Sequence, residues 1–325
     1  MKFFFSCDWG TSNFRLRLVS AENEAVLFEV ITSQGIVSTF EGWRKTGSNE
    51  KNKLAFYQSY LFEQVKKVTS VFNHSFHNTP IVISGMASSN IGMVALPYKQ
   101  IPYYSNGYDL IIHTIDEAEE IDQYKIILIS GVRSASDVMR GEETILAGCN
   151  VSSQAGEQLF ILPGTHSKHI VVKDGKVTGF KTYMTGEFFE LLSKKSLLAG
   201  SVNESQDFKN TKNQENFQRG IQESELNLLH TAFFVRTNDL FQKLTKEENY
   251  FYLSGLLIGT ELREIKTATY SKISLVVNEG MKPFYVAALK SLGLQDGSAG
   301  FEIINADQAL VTGQFAILNQ MQKAK

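Results

Sequence analysis

The feature that most constrains this fold is an internal repetition. Each half of the chain opens with an apolar run, a Gly-Thr turn and two further strand-like runs, before helical periodicity sets in. In the first half, Phe3–Cys7 reads as a buried strand and Asp8–Asn13 as a polar turn carrying DWGTS. Phe14–Val19 follows as a half-exposed strand in which Arg15 and Arg17 alternate with apolar residues, and Ala25–Ile31 as a third strand. In the second half, Leu159–Leu162 is a strand and Pro163–Lys168 a turn carrying PGTHS. His169–Lys173 and Lys176–Thr182 then form a hairpin about Asp174-Gly175, a dipeptide suited to a tight turn. Among 24 glycines the two Gly-Thr turns prove little alone, so the weight rests on their matching place in the two halves. A duplicated α/β unit predicts two domains whose turns face each other across a cleft.

The rest of the chain supports that division. Its 325 residues suit two medium domains, with a boundary near Cys149–Gly156. Lys53–Phe72 carries Leu54, Leu61, Val65, Val68 and Phe72 at helical spacing. Further helices are expected over Glu142–Ala147, Gly186–Leu192, Ser254–Ile265, Met281–Leu292 and Asp307–Asn319, and Phe217–Leu244 is helix-rich. Pro80–Ser84, Ile126–Ser130, Ser274–Val277 and Phe301–Ile304 are strands. The polar stretch 196–216 reads as a surface excursion, and the Phe233-Phe234 and Tyr250–Tyr252 aromatics as core.

Composition excludes several classes. A hydrophobic fraction of 43% with 20% charged residues is that of a soluble enzyme. A net charge of -2 and scattered basic residues argue against nucleic acid or a membrane surface as partner. Two cysteines, Cys7 and Cys149, make neither a disulfide framework nor a thiolate metal cage, and point to a reducing cytoplasm. The apolar start stops at Asp8 and has no signal-peptide core, and no run approaches the roughly 18 apolar residues of a membrane span.

Five segments carry chemistry. An Asp at the end of a buried strand is hard to explain by packing. Asp8 suits Mg²⁺ held through water, while Gly10, Thr11 and Ser12 offer N–H and hydroxyl donors to phosphate; an Asx turn closing a hairpin is the plainer alternative. Gly164, Thr165, Ser167 and Lys168 form a second candidate cradle. Neither turn is a P-loop, and no Rossmann fingerprint is present. Arg133, Asp137, Arg140, Glu142 and Glu143 follow a β-rich run, where arginine forks suit a carboxylate and an acidic group suits a hydroxyl proton; a self-paired surface loop would look the same. Ser88, Ser89 and Asn90 could line a sugar pocket. Asn278-Glu279-Gly280 stands at a strand-to-helix junction that could abut adenosine.

These strings resemble the 2-dehydro-3-deoxygalactonokinase family, a branch of the actin/hexokinase/Hsp70-like ATPase superfamily. The resemblance runs through DWGTSNFR, SGMASSNIGMVALPY, DVMRGEETILAG, LPGTHSK, TYMTGEFFELL and YLSGLLIGTEL, in order. It implies an α/β protein of two ribonuclease H-like domains, each with a mixed five-stranded sheet flanked by helices, closing on ATP. Residues 1–150 would bind the sugar acid and carry the first phosphate loop, with the C-terminal helix 306–325 available to complete them. Residues 151–305 would carry the second phosphate loop and the adenosine loop.

The resemblance further implies ATP and Mg²⁺ as cofactors, with phosphate contacts from Asp8, Gly10, Thr11, Ser12, Arg15, Gly164, Thr165, Ser167 and Lys168. The adenosine loop matches Asn278, Glu279 and Gly280, which departs from the usual glycine pair. Glu142 stands where related kinases carry the catalytic base, with Asp137 in reserve. Arg133 or Arg140 would pair with the substrate carboxylate beside Ser88, Ser89 and Asn90. The implied reaction places phosphate on the 6-hydroxyl of 2-dehydro-3-deoxy-D-galactonate. Competing readings are a kinase for the gluco epimer or another 2-keto-3-deoxy acid, a non-catalytic sugar-acid sensor, and an ATPase with water as acceptor. The sequence allows a homodimer.

Overall fold

The computed structural model describes residues 1–47, 49–115, 124–151, 156–267, 269–294 and 300–323. The chain forms two compact units, Met1–Ser153 with Gly175–Gly179 and Asp307–Lys325, and Gln154–Asp174 with Phe180–Ala306. The boundary expected near Cys149–Gly156 includes residues 152–155, which lie outside the described residues, as do the last two residues of the expected terminal helix.

The first unit holds β1 (Phe3–Trp9), β2 (Phe14–Ser20), β3 (Val26–Thr32), α1 (Ile36–Lys45), α2 (Lys53–Thr69), β4 (Ile81–Gly85), β5 (Lys99–Gln100), β6 (Tyr103–Tyr104), β7 (Ile112–Ile115), β8 (Ile126–Ile129), β9 (Val132–Arg133), β10 (Val138–Met139) and α3 (Glu142–Ala147). The second holds β11 (Gln158–Leu162), β12 (Ser167–Lys173), the second half of β13 (Lys176–Tyr183), α4 (Thr185–Lys195), α5 (Thr211–Glu223), α6 (Leu228–Thr231), α7 (Phe234–Leu240), α8 (Lys246–Leu262), β14 (Lys272–Val277), α9 (Lys282–Ser291) and β15 (Phe301–Asn305). The chain then returns to the first unit as α10 (Ala306–Lys323).

The first sheet runs β3-β2-β1-β4-β8-β7. Its first three strands form an antiparallel meander, and β1, β4 and β8 are parallel. In the second unit the order β13-β12-β11-β14-β15 repeats that plan, with β11 antiparallel to β12 and parallel to β14, and β14 parallel to β15. Each of these sheets has one strand more than the expected five: β7, antiparallel to β8, in the first, and β6, antiparallel to β13, in the second. Strand β1 is buried on both faces, which is why it reads as a nearly unbroken apolar run. Phe5, Cys7 and Trp9 join a core with Tyr57, Leu61 and Val65 of α2. On the other face Phe4 stacks on Phe315 of α10, and Gln314 Nε2 donates to the carbonyl of Cys7 and to Ser84 Oγ.

Helix α1 has no counterpart among the expected elements. It starts at Gly35 with no side-chain cap, so the usual start signal is missing. Helix α8 begins eight residues before its expected start, where Thr245 and Glu248 make a full capping box. Part of 196–216 is core rather than excursion. Leu198 and Val202 pack with Val235, Tyr252, Leu253 and Leu257. Phe251 and Tyr252 are buried as expected, whereas Phe233 is half exposed. Among the described residues no helix is long and apolar enough to cross a membrane.

Candidate active site

In the first unit, β1 delivers Asp8 to the C-terminal edge of the sheet, opposite Arg15 on β2. The turn between them is closed by Gly10 N–H donating to Asn13 O at 2.9 Å, which leaves Thr11 and Ser12 exposed. Helix α1 starts directly on this turn. Ile36 N–H donates to Gly10 O at 2.9 Å and Val37 N–H to Thr11 O at 3.2 Å. The approach needs a glycine, because a Cβ on Gly35 would lie 2.4 Å from Thr11 O and from Ser12 C. Loss of water raises the Asp8 pKa; Arg15 and Arg17 pull it back, while Asp307 and Glu142 push it further up. Glu142 therefore stands close enough for its charge to reach Asp8. The two arginines are also paired with Asp307 of α10, Arg15 Nη1 at 2.5 Å and Arg17 Nη2 at 2.7 Å.

The expected substrate residues separate into two groups. Arg140 Nη1 donates to Ser88 O and Ser88 Oγ, both at 2.6 Å, and its guanidinium lies 4.3 Å from the ring centre of Tyr98. Ser88 Oγ in turn donates to Ile129 O at 2.8 Å. Beside this cluster, Arg140 Nε, Ser89 Oγ and Ser130 Oγ are buried without a hydrogen-bond partner. Orphaned buried donors are rare, and each of these lacks a partner within the protein. Arg133, by contrast, is exposed on β9 and bound to Gln100, while Asp137 Oδ1 accepts Val138 N–H at 2.7 Å within its own hairpin. Asn90 is exposed, and its carbonyl accepts Lys53 Nζ at 2.9 Å.

Glu142 opens α3, with its Oε2 accepting Arg140 N–H at 3.0 Å. Glu143, next to it, is fully buried, and both its oxygens accept Gly141 N–H, at 2.9 and 2.8 Å. Gly141 holds φ at 115°, so Glu143 pins a backbone turn that only glycine adopts readily. Burial, then the Glu142 carboxylate, pushes the Glu143 carboxyl from 4.5 up to about 7. Between those values the folded state holds a proton that the unfolded chain has lost. Stability of the first unit thus falls as pH rises through that window, then levels off above it. Replacement by Gln is expected to remove the decline, worth at most about 3 kcal/mol. Urea unfolding of wild type and Glu143→Gln at about pH 5 and about pH 8 measures it.

The second unit repeats the arrangement. Gly164, Thr165 and His166 are exposed on the turn between β11 and β12. Ser167 is buried beneath it, its Oγ accepting Gly164 N–H at 3.3 Å, and Lys168 Nζ donates to His166 O at 3.1 Å. Helix α4 starts on this turn as α1 does on the first. Glu187 N–H donates to Thr165 O at 3.1 Å, and a Cβ on Gly186 would lie 2.7 Å from Gly164 O. His166 pairs with Glu187 at 2.6 Å.

A cavity of about 370 Å³ opens beside the second turn, lined by Gly164, Thr165, Gly186 and Asn278 on one part and by Phe189, Tyr250, Leu257 and Phe284 on another. Tyr250, read from sequence as core, packs against the cores of the second unit and also lines this cavity. Glu279 and Gly280 are exposed just beyond Asn278, whose Oδ1 accepts Met281 N–H at 3.1 Å. A larger cavity of about 450 Å³ lies in the first unit among Lys2, His74, Pro80 and Lys125. It sits where β1 and β4 begin, whereas ligands of open α/β sheets bind beyond the strands' C-terminal ends, where Asp8 and Ser130 stand. Sequence reasoning missed Gly35, Gly186 and the pinning role of Glu143.

Residues 8–317 match the family described as 2-keto-3-deoxy-galactonokinase. A Rhizobium meliloti (strain 1021) protein named as a 2-dehydro-3-deoxygalactonokinase is 29% identical over 320 residues, covering 96% of this chain and 95% of the relative. The Escherichia coli (strain K12) 2-dehydro-3-deoxygalactonokinase is 27% identical over 299 residues, covering 89% and 90%. The crystal structure of a Sinorhizobium meliloti protein assigned the same activity superposes with a TM-score of 0.78 at 27% identity, covering 97% of this chain and 96% of that one. The activator of 2-hydroxyisocaproyl-CoA dehydratase from Clostridium difficile, at 10% identity and a TM-score of 0.50, is similar in fold, with 99% and 97% covered.

Proposed function

We propose a reaction for this chain from the premise that it belongs to the 2-keto-3-deoxy-galactonokinase family, a membership established by the match over residues 8–317. Its fold is that of the two-domain actin-like ATPases. It is a carbohydrate kinase of galactonate catabolism, and its acceptor is 2-dehydro-3-deoxy-D-galactonate. The finer assignments are ours. The phosphoryl donor is ATP, the acceptor atom is the 6-hydroxyl, and the reaction belongs to the cytoplasm. The observation that carries the reading is the family match along nearly the whole chain.

The residues fit this chemistry. The cavity by Gly164, Thr165 and Asn278 joins a polar turn to an apolar wall, as a nucleoside phosphate requires. Exposed N–H and hydroxyl groups of Thr11, Ser12 and Thr165 are free of packing duties and suit phosphate oxygens. Mg²⁺ typically takes one or two carboxylates and completes its shell with water and phosphate, and Asp8 offers such a carboxylate. When bound, the ion neutralises charge on the transferring phosphoryl group.

The first unit holds the acceptor. Arg140 faces its carboxylate, and the orphaned Ser89 and Ser130 hydroxyls meet its hydroxyl groups. Glu142 receives the proton of the 6-hydroxyl as the oxygen attacks phosphorus. Asp137 and Arg133 are held in the β9–β10 hairpin and take no part in the reaction. Most of the acceleration comes from positioning and charge stabilisation rather than from the base. The test is ADP release in a coupled assay with each 2-keto-3-deoxy epimer and without sugar. A kinase releases ADP only with the sugar acid, and faster with the galacto epimer. A sensor releases none, and an ATPase releases it without sugar.

A further inference from the structure

We propose that Glu261 is the positioning residue of the second phosphate turn; the proposal rests on the nucleotide reading above. Glu261 lies on α8 and is only 2% exposed, yet three other elements converge on its carboxylate. Thr185 Oγ1, from the start of α4, donates to its Oε2 at 2.5 Å. The Tyr285 hydroxyl, from α9, donates to the same oxygen at 2.7 Å. His169 Nε2, from β12, lies 3.1 Å from Oε1. An isolated buried carboxylate is costly, so this set of donors is what makes the position tenable.

The hydrogen bonds continue outward to the turn. Tyr285 Oη lies 3.2 Å from Ser167 Oγ, which accepts the backbone N–H of Gly164 at 3.3 Å. With Tyr285 donating to Glu261, and Ser167 turning its hydroxyl proton to Tyr285 rather than to Gly164 O at 3.4 Å, the chain runs in one sense, from Gly164 N–H through Ser167 and Tyr285 to the carboxylate, and each bond polarises the next. Thr185 supplies a second route, because it precedes Gly186, which presses against Gly164 and Thr165. Thr185 and Tyr285 both line the cavity beside the turn, and Glu261 does not. It therefore acts through them. A turn held by such a frame presents its N–H groups without reorganising, which is what phosphate recognition needs.

The experiment titrates ADP calorimetrically into the full-length chain and into Glu261→Gln, Tyr285→Phe and the double variant. Each is checked for an intact melting transition, and the KM for the sugar acid is measured in parallel. Tyr285→Phe is expected to weaken ADP about tenfold, Glu261→Gln at least as much because it disturbs the Thr185 route too, and the double change no more than Glu261→Gln alone, because the Tyr285 route ends on Glu261. The KM for the sugar acid should stay within about twofold, since the acceptor residues belong to the other unit. Tyr285→Phe keeps two donors on the carboxylate, so it carries the test should Glu261→Gln fail to fold. ADP affinity within about twofold of wild type in Tyr285→Phe, or a double variant about tenfold weaker than Glu261→Gln, overturns the proposal. Should wild type itself bind no ADP, the nucleotide reading falls as well.

Discussion

Glu142→Ala is expected to lower kcat by about 10²–10⁴-fold, the usual contribution of a general base, with the KM values for both substrates little changed. The expectation comes from position. Glu142 opens α3 beyond the C-terminal edge of the first sheet, close enough for its charge to raise the pKa of Asp8. It also follows Gly141, whose backbone is held by Glu143. A base that receives a proton only as the oxygen attacks contributes to the transition state and not to binding, so kcat and kcat/KM should fall together. The pair Glu142→Ala and Asp137→Ala separates the two carboxylates that the sequence left open. Asp137 is bonded to the backbone of its own hairpin, and its loss should leave turnover within about threefold. Near-normal turnover in Glu142→Ala would remove that residue from the mechanism.

Asp8→Asn is the second large effect, expected to cost about 10²–10³-fold in kcat/KM for ATP, as removal of a preorganised charge at a transferring group does. Its distinguishing mark is stability. Burial raises the Asp8 pKa above the ordinary carboxylate value, so the ionised group is less favourable in the folded chain than in the unfolded one. That deficit grows as pH rises from the unfolded value through the folded one and then stays constant. At neutral pH the Asn variant should therefore melt at the wild-type temperature or above it, while losing activity. Steady-state kinetics over a Mg²⁺ series, with melting curves on the same samples, measures both. A variant that loses activity and stability together would give Asp8 a structural role instead.

The two β meanders were legible because their strands announce themselves. Phe3–Cys7 and Leu159–Leu162 are apolar on both faces, and Asp174-Gly175 marks its hairpin. The repeated plan of the two sheets followed from those signals. Helix α1 was not legible, since its start is set by contact with the Gly10–Asn13 turn and not by a capping side chain. The start of α8 was written in Thr245 and Glu248, whose capping box lies ahead of the apolar stretch.

The site divided along similar lines. Asp8, Gly164 and Thr165 stood out through polar chemistry at the ends of apolar strands, and the reading of Glu142 drew on the family resemblance. Residues that act through packing carry no such mark. Gly35 and Gly186 matter because a helix start touches a turn, Glu143 because it is buried beside Glu142, and Glu261 because three distant segments meet it. Those contacts exist only once the chain has folded. Ser167 shows the converse. Its hydroxyl type pointed to phosphate, and the fold instead places it under the turn, facing Tyr285.

The central claim, transfer of a phosphoryl group to the 6-hydroxyl of the sugar acid, is tested most directly by following the reaction with ATP, Mg²⁺ and 2-dehydro-3-deoxy-D-galactonate by proton-coupled phosphorus NMR. The expected result is a new phosphate monoester signal split by the two protons of C6, growing in step with ADP and absent without the sugar acid. Inorganic phosphate as the only product besides ADP, or an ester coupled to a single proton of a ring or chain carbon, would contradict it.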